Sequence, residues 1–296
     1  KQKVINLDGQ KKLDDDDLEA IKNILQASKH AAVKALKLSN TNIPLADGKF
    51  TRALANNNTL ETLWLDDNKI GVEGFKCLAA ALAKNNTLKA LSLSLNNIGA
   101  EGAKYLADAL KVNTSLEEIC LGRNNTGDEG AKHLACALMV NNTVHVITLE
   151  DNGISYMGAK SIAMALLLNQ GIHTIALHNN KIGTQGAVKL ADALEYNNTI
   201  KTLKLGGNHI GNYMLKRIYA IVKYTDRRER KELTLKQWRE IIAMKDEESA
   251  DKDKAGKKML ELEICIKDSE IEKRGRIIAQ KDEEIASLKD SLANSK

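Results

Sequence analysis

The sequence has few aromatic residues and almost no proline. Phe, Trp and Tyr make up 3% of its 296 residues, and Pro44 is its single proline. A core must therefore be built from aliphatic side chains, which are abundant because 43% of the residues are hydrophobic. An aliphatic core of this kind is typical of solenoids, in which each repeated unit contacts only its neighbours.

Cysteine is scarce as well, and it shows no paired spacing. Cys77, Cys120, Cys136 and Cys265 form no CxxC motif, which favours reduced thiols in a cytoplasmic protein over a disulfide framework or a zinc site. No apolar run has the length of a membrane-spanning helix, so we expect no membrane span. The sequence begins at Lys1 without a methionine or a signal peptide, and we expect further residues before it.

The sequence also lacks a strong charge field and a catalytic motif. Its net charge of +5 is not gathered into one long block, which argues against a nucleic-acid partner. It contains no P-loop, GxGxxG, HExxH or GxSxG motif. An active site needs unlike residues that converge, whereas a repeat array offers rows of equivalent ones. We therefore predict a protein that is not an enzyme, with no catalytic residues, no cofactor and no metal site.

What the sequence does contain is one unit repeated every 28 residues, as from Leu60 to Leu88. Each unit opens on an apolar residue, has further apolar residues three and five positions later, and has an asparagine eight positions later. The alternation predicts a short strand with inward apolar side chains, and the asparagine can bond the backbone of neighbouring units. The asparagines of this first column are Asn68, Asn96, Asn124, Asn152, Asn180 and Asn208.

A second asparagine column ends each predicted helix: Asn57, Asn85, Asn113, Asn141, Asn169 and Asn197. We expect these residues to adopt the left-handed conformation, which Asn tolerates at a helix end. Five of the six also begin N-x-S/T sequons, as does Asn124. The column is therefore either a set of helix caps or a row of glycosylation sites, and we favour caps because they require no secretion.

The repeated pattern L-x-x-L-x-L-x-x-N-x-I-G-x-x-G, followed by A-x-x-L-A-x-A-L, resembles the leucine-rich repeat family. It is closest to the ribonuclease-inhibitor-type class of 28-residue repeats and is similar to the arrays of nucleotide-binding leucine-rich-repeat receptors. The resemblance covers residues 4–211. It implies an α/β fold, a right-handed horseshoe solenoid with parallel strands on the concave face and helices on the convex face.

Five regions are expected along the chain: an N-terminal capping unit (1–32), the repeat array (33–211), C-terminal capping helices (212–246), a linker (247–258) and a heptad-bearing helix (259–296). The heptads predict a coiled coil or a helix that pairs with another protein, and a single exposed helix is the alternative. The apolar heptad residues are Leu260, Ile264, Ile271, Ile278, Ile285, Leu288 and Leu292.

The outward residues of the strands identify a candidate binding face. If Leu63 and Leu65 point inward, Trp64 points outward, and an exposed tryptophan is typical of an interface hot spot. The alternative is that Trp64 packs locally against the neighbouring, less regular repeat. The predicted partner-binding residues are Trp64, Asp66, Asp67, Leu95, Glu118, Arg123, Glu150, Asp151 and His178.

We predict a non-enzymatic, cytoplasmic scaffold that binds a protein on its concave face and is anchored in a larger assembly through its C-terminal helix. Tropomodulin-like actin capping and ciliary or axonemal scaffolding are variants of this prediction. The resemblance also implies two alternatives. One is a regulator similar to the Ran GTPase-activating proteins, which Arg123 and the asparagine column match only generically. The other is the sensor part of a nucleotide-binding receptor, whose nucleotide-binding module would precede Lys1.

Overall fold

The computed structural model describes residues 3–10, 13–26 and 33–223. Within these ranges, short strands alternate with helices along the chain. The strands are β1 (Val4–Asn6), β2 (Ala35–Lys37), β3 (Thr62–Trp64), β4 (Ala90–Ser92), β5 (Glu118–Cys120), β6 (Val146–Thr148), β7 (Thr174–Ala176) and β8 (Thr202–Lys204). The helices are α1 (Asp15–Gln26), α2 (Lys49–Asn56), α3 (Gly71–Leu82), α4 (Gly99–Leu110), α5 (Gly127–Leu138), α6 (Tyr156–Leu168), α7 (Gly183–Leu194) and α8 (Asn212–Lys223).

The strands form one parallel sheet whose spatial order is the chain order, from β1 to β8. The register places equivalent repeat positions opposite each other, as Leu63 opposite Leu91 and Ile119 opposite Ile147. Each repeat therefore contributes one strand and one helix, and consecutive repeats stack side by side. The predicted parallel solenoid fold is confirmed.

The core lies between the sheet and the helices. The inward residues of strands β2 to β8 are buried, that of β1 is partly buried, and the Ala and Leu columns of the helices pack against them. One helical glycine per repeat permits this close packing: a Cβ at Gly102 would lie 2.7 Å from Ile98 Cγ2 and 3.5 Å from Phe75 Cγ. The core is mainly aliphatic, and both phenylalanines, Phe50 and Phe75, are buried in it.

The first asparagine column joins consecutive repeats, as predicted. The Asn96 Nδ2 atom donates to the Leu65 and Leu93 carbonyls at 2.8 and 3.0 Å, and Asn96 Oδ1 accepts from the Asn68 amide at 2.9 Å. Asn124 bonds the Asn96 amide and the Leu93 carbonyl in the same way. The column therefore supplies partners to backbone groups that the short strands leave unpaired inside the solenoid.

The second asparagine column corrects one prediction. None of its members has a positive φ; Asn57 and Asn169 are extended, with φ near −73° and ψ near 131°. Each side chain instead turns inward: Asn113 Nδ2 donates to the Leu82 and Asn85 carbonyls of the preceding repeat at 2.7 and 2.9 Å. Its Oδ1 accepts from the Ser115 and Leu116 amides at 3.0 and 2.8 Å. The left-handed expectation was wrong because the side chain, and not a turn of the backbone, satisfies these groups.

The last described helix, α8, covers the end of the array with buried Met214, Ile218, Ile221 and Val222. The predicted capping segment 212–246 is thus helical as far as Lys223. The remainder of that segment, the linker 247–258 and the heptad residues Leu260, Ile264, Ile271, Ile278, Ile285, Leu288 and Leu292 lie outside the described residues. In the described part of the chain, no helix has the length and apolar character needed to cross a membrane.

Candidate functional site

The concave face consists of the outward residues of the strands and the residues that follow each strand. Inward and outward residues alternate: Leu63 and Leu65 are buried, while Trp64 and Asp66 between and after them are partly exposed. Parallel register carries the same positions from strand to strand, so Trp64, Ser92, Cys120 and Thr148 form one row. The predicted orientation of this face is therefore the orientation that the structure has.

Two apolar side chains of adjacent repeats, Trp64 and Leu95, lie on the N-terminal part of the concave face and are called the apolar cluster. Trp64 is partly exposed, and the Lys37 Nζ atom lies 5.0 Å from the centre of its ring. This cation–π contact comes from the neighbouring repeat, so the local packing considered above is present on one face of the ring. Leu95, in the next repeat, leaves 44% of its surface exposed.

Leu95 is held in an unfavourable backbone conformation. Its φ is 62°, in the left-handed region, which costs a residue with a bulky side chain about 1–2 kcal/mol. The same position is occupied in other repeats by Asn40, Asp67, Asp151, Asn179 and Gly207, which tolerate this region, and by Arg123, whose φ is 55°. Leu95 thus combines exposure with strain at a position that most other repeats fill with Asn, Asp or Gly.

Acidic side chains dominate the centre of the face, but several are engaged within the fold. Asp66 Oδ1 accepts from Ser92 Oγ at 2.6 Å and from the Ser94 amide at 2.7 Å. Asp151 Oδ2 lies 3.6 Å from Arg123 Nε, and it accepts a bond of 3.4 Å from Asn179. These two carboxylates therefore organise neighbouring repeats in addition to giving the face negative charge.

Glu150 differs from these engaged acids. Its carboxylate lies over Gly122 in the preceding repeat, in space that a Cβ at Gly122 would occupy. Its Oε2 atom is buried and has no hydrogen-bond partner among the described residues, and the same holds for Nδ1 of His178 in the following repeat. Buried polar atoms without partners are uncommon in folded proteins and are often functional. Glu118 is exposed on β5.

Cys120, between Glu118 and Gly122, does not have the properties of a catalytic thiol. Burial raises the pKa of Cys120, and nearby Glu118 raises it further. The thiol is therefore protonated at neutral pH and is a poor nucleophile. Among the described residues, no group of three or more His, Cys, Asp or Glu side chains could hold a metal ion.

The predicted site residues thus separate into two groups on one face. Trp64 and Leu95 form the apolar cluster, with Asp66 and exposed Asp67 beside it, and Glu118, Arg123, Glu150, Asp151 and His178 form an acidic centre one to three repeats farther along. The sequence did not indicate the contact of Glu150 with Gly122 or the contact of Lys37 with Trp64. The contact of Lys37 with Trp64 could have been predicted from the repeat alignment, because the two residues occupy equivalent positions on β2 and β3.

Comparison with known proteins identifies the repeats. The family model described as Leucine Rich repeat matches residues 56–79, 84–107, 112–135 and 196–212. No curated protein matches the chain. The family match is to the repeat itself and does not distinguish nucleotide-binding receptors from other repeat proteins, so the similarity to those receptors stays a prediction.

Several solved structures are similar in fold. They include a leucine-rich repeat-containing protein, LegL7, from Legionella pneumophila (17% identity, 68% of this chain and 66% of that chain, TM-score 0.48). Others are the Caenorhabditis elegans tropomodulin C-terminal domain (16%, 56% and 98%, TM-score 0.45) and actin-binding site 2 of leiomodin-1 (22%, 50% and 87%, TM-score 0.41). At these scores the likenesses assign no partner. The repeated unit, the strand and helix built from each copy, and the family match over four stretches identify these repeats as leucine-rich repeats.

Proposed function

We propose that the protein is a non-enzymatic interaction scaffold that binds a partner protein on its concave face, with Trp64 and Leu95 as the apolar anchor point. Leucine-rich repeat arrays present a wide surface built from rows of equivalent side chains, which suits binding more than catalysis. The anchoring role of residues 259–296 is part of the proposal and rests on their heptad pattern alone.

One observation carries this proposal: Leu95 is an exposed aliphatic residue in a left-handed conformation. Neither property improves folding, because the side chain gains little burial and the backbone is strained. Both are accounted for if a partner covers Leu95, since burial in the complex then offsets the strain. Trp64 in the preceding repeat adds the large, partly exposed ring that interface hot spots favour.

The matched substitutions Leu95→Asn and Val112→Asn test the proposal. Val112 belongs to the same repeat and is also an exposed aliphatic residue, 62% exposed, but it follows α4 on the helix side. Each variant and the unaltered chain are used to capture proteins from a native lysate, and the captured proteins are quantified by mass spectrometry. We expect Leu95→Asn to lose at least one protein by about tenfold or more, whereas Val112→Asn retains it.

Stability separates binding from folding in this comparison. Asn tolerates the left-handed region and occurs at this position in Asn40 and Asn179, so Leu95→Asn is expected to keep the free energy of unfolding within about 1 kcal/mol. If both variants capture the same proteins at the same levels as the unaltered chain, the anchor point is not at Leu95 and the proposal is wrong.

We further propose that the chain folds in a reducing compartment outside the secretory pathway. The sequon asparagines Asn85, Asn113, Asn141 and Asn197 are buried, and each Nδ2 atom donates to two carbonyls of preceding repeats. A glycan is attached to this same nitrogen, so glycosylation would remove these bonds and place a bulky group in the core. Free Cys77, Cys120 and Cys136 suit the same compartment. Cytoskeletal or ciliary location stays a prediction.

A further inference from the structure

The concave face has a charge opposite in sign to that of the whole chain. From β2 to β8, the outward strand residues and the outward residues within three positions after each strand carry a net charge of −2: three are basic (Lys37, Arg123 and Lys204) and five are acidic (Asp66, Asp67, Glu118, Glu150 and Asp151). The chain as a whole carries +5. A partner that docks here therefore meets a locally negative surface, and complementary charge on that partner speeds encounter and fixes orientation.

Glu150 is the carboxylate on this face that is best placed to receive a cation. Asp66 is already bonded to Ser92 and Ser94, and Asp151 lies beside Arg123. Glu150 forms no hydrogen bond or ion pair with any described side chain, and its Oε2 atom is buried without a partner. A donor from outside the chain would satisfy a carboxylate that the fold leaves unsatisfied.

Glu150 as a residue is partly exposed on the concave face, although its Oε2 atom is buried. Gly122, in the preceding repeat, has no side chain to cover the Glu150 carboxylate. His178, at the corresponding position of the following repeat, contributes a second buried atom without a partner, Nδ1. Glu118 adds a negative charge at the edge and is exposed. No described Lys or Arg fills this position, since Arg123 is paired with Asp151.

We propose that Glu150 receives a lysine or arginine side chain of the partner, whose binding segment also carries an apolar residue for Trp64 and Leu95. This inference rests on the proposed function and adds the partner's chemistry to it. The apolar cluster lies two to three strands from Glu150, which is about 10–14 Å at the usual spacing of about 4.8 Å between strands. An extended chain covers that distance in about three to four residues. The recognised segment is therefore basic, with an apolar residue about three or four positions away from the Lys or Arg.

A library of random dodecapeptides displayed on phage tests this proposal with the full chain as bait. Selected peptides are synthesised, and their affinities are measured by fluorescence anisotropy for the unaltered chain and for Glu150→Gln, Gly122→Ala and Leu95→Asn. Glu150→Gln removes the charge at nearly constant shape. Gly122→Ala keeps the charge but displaces the carboxylate, because the new Cβ takes its space. Thermal melts followed by circular dichroism show that each variant is folded.

We expect the selected peptides to carry an apolar residue and a Lys or Arg at the stated separation. Their binding should weaken roughly tenfold in Glu150→Gln and in Gly122→Ala, the usual effect of losing one charged hydrogen bond. It should also weaken as salt is added, because the paired charges are partly exposed.

The outcomes separate this inference from the proposed function. Peptides that lose affinity for Leu95→Asn but lack basic residues and bind Glu150→Gln unchanged would overturn the basic-partner inference and leave the concave-face function standing. Peptides that bind all three variants as well as the unaltered chain occupy another surface, and they would contradict both. A library that yields no binder to the folded chain would also count against both.

Discussion

Asn85 and Asn86 are adjacent asparagines with the same sequence context and opposite structural roles. Asn85 is buried, with 3% of its surface exposed, and Asn86 is exposed. Asn85 Nδ2 donates to the Leu54 and Asn57 carbonyls at 2.8 and 2.9 Å, and its Oδ1 accepts from the amides of residues 87 and 88 at 3.0 and 2.8 Å. Asn85→Ala removes all four bonds at once, so it measures what the second asparagine column contributes.

The expected cost follows from which groups lose their partners. The Leu54 carbonyl also accepts from the Asn57 amide, and the Asn57 carbonyl also accepts from Thr87 Oγ1, so both carbonyls keep a bond. The two amides keep none, and a buried donor without a partner costs about 1–3 kcal/mol. We therefore expect Asn85→Ala to lower the free energy of unfolding by about 4 kcal/mol, whereas Asn86→Ala should change it by no more than about 0.5 kcal/mol.

Urea denaturation followed by circular dichroism measures both values, and the midpoints can be compared directly where the slopes agree. The reasoning is refuted if the two variants lose similar stability, or if Asn85→Ala costs less than about 1 kcal/mol, the value of a single ordinary bond. The first result would mean that burial of this column is unimportant. The second would mean that water replaces the lost bonds.

Three further predictions concern the compartment, a thiol and the packing. When a signal peptide directs the chain to the secretory pathway, we expect the protein to be glycosylated, misfolded and retained in the cell. Secretion of folded protein should recover when the Thr and Ser residues of the sequons are replaced by Ala. Secretion of a folded, glycosylated chain would contradict this. Because burial raises the pKa of Cys120, maleimide should modify Cys120 more slowly at neutral pH than it modifies exposed Cys136, and the difference in rate should shrink as the pH rises. The rates are measured by mass spectrometry of the labelled peptides, and equal rates would contradict the reasoning. Gly102→Ala should destabilise the chain by about 1–3 kcal/mol through overpacking against Ile98, whereas Gly206→Ala, with nothing within 4 Å, should be neutral in the same urea titration.

The repeat period was sufficient to predict the sheet and its inward residues. Leu63 and Leu65 were assigned to the core because apolar alternation and a fixed spacing both required it, and the structure buries them. The bonding of Asn96 between coils was predictable for a similar reason, since a short strand leaves backbone groups that a polar side chain must satisfy.

The second asparagine column could not be predicted correctly from one repeat. A left-handed cap and an inward side chain both place Asn at the end of a helix, and the sequence alone does not distinguish them. The choice depends on carbonyls such as Leu82 and Asn85, which the preceding coil brings within reach of Asn113. Stacking therefore decides the conformation.

The candidate site was predictable as a face but not in its contacts. Alternation predicts Trp64 and Glu150 on the outward side, whereas the left-handed conformation of Leu95 was not predicted and is seen only in the structure. The approach of Glu150 to Gly122 depends on how a flexible side chain crosses to the neighbouring strand. No periodicity in the sequence contains that information.

Photo-crosslinking tests most directly whether the partner binds the concave face. A photoreactive amino acid replaces Ser92, which lies on β4 between Trp64 and Cys120 in the same row, and in a control chain it replaces exposed Lys104 on α4. Both chains are irradiated in native lysate, and the crosslinked proteins are identified by mass spectrometry. We predict a partner that crosslinks from position 92 and not from position 104, and whose crosslink disappears when Leu95→Asn is added. A partner that crosslinks only from position 104 would contradict the account, because binding would then take place on the helices.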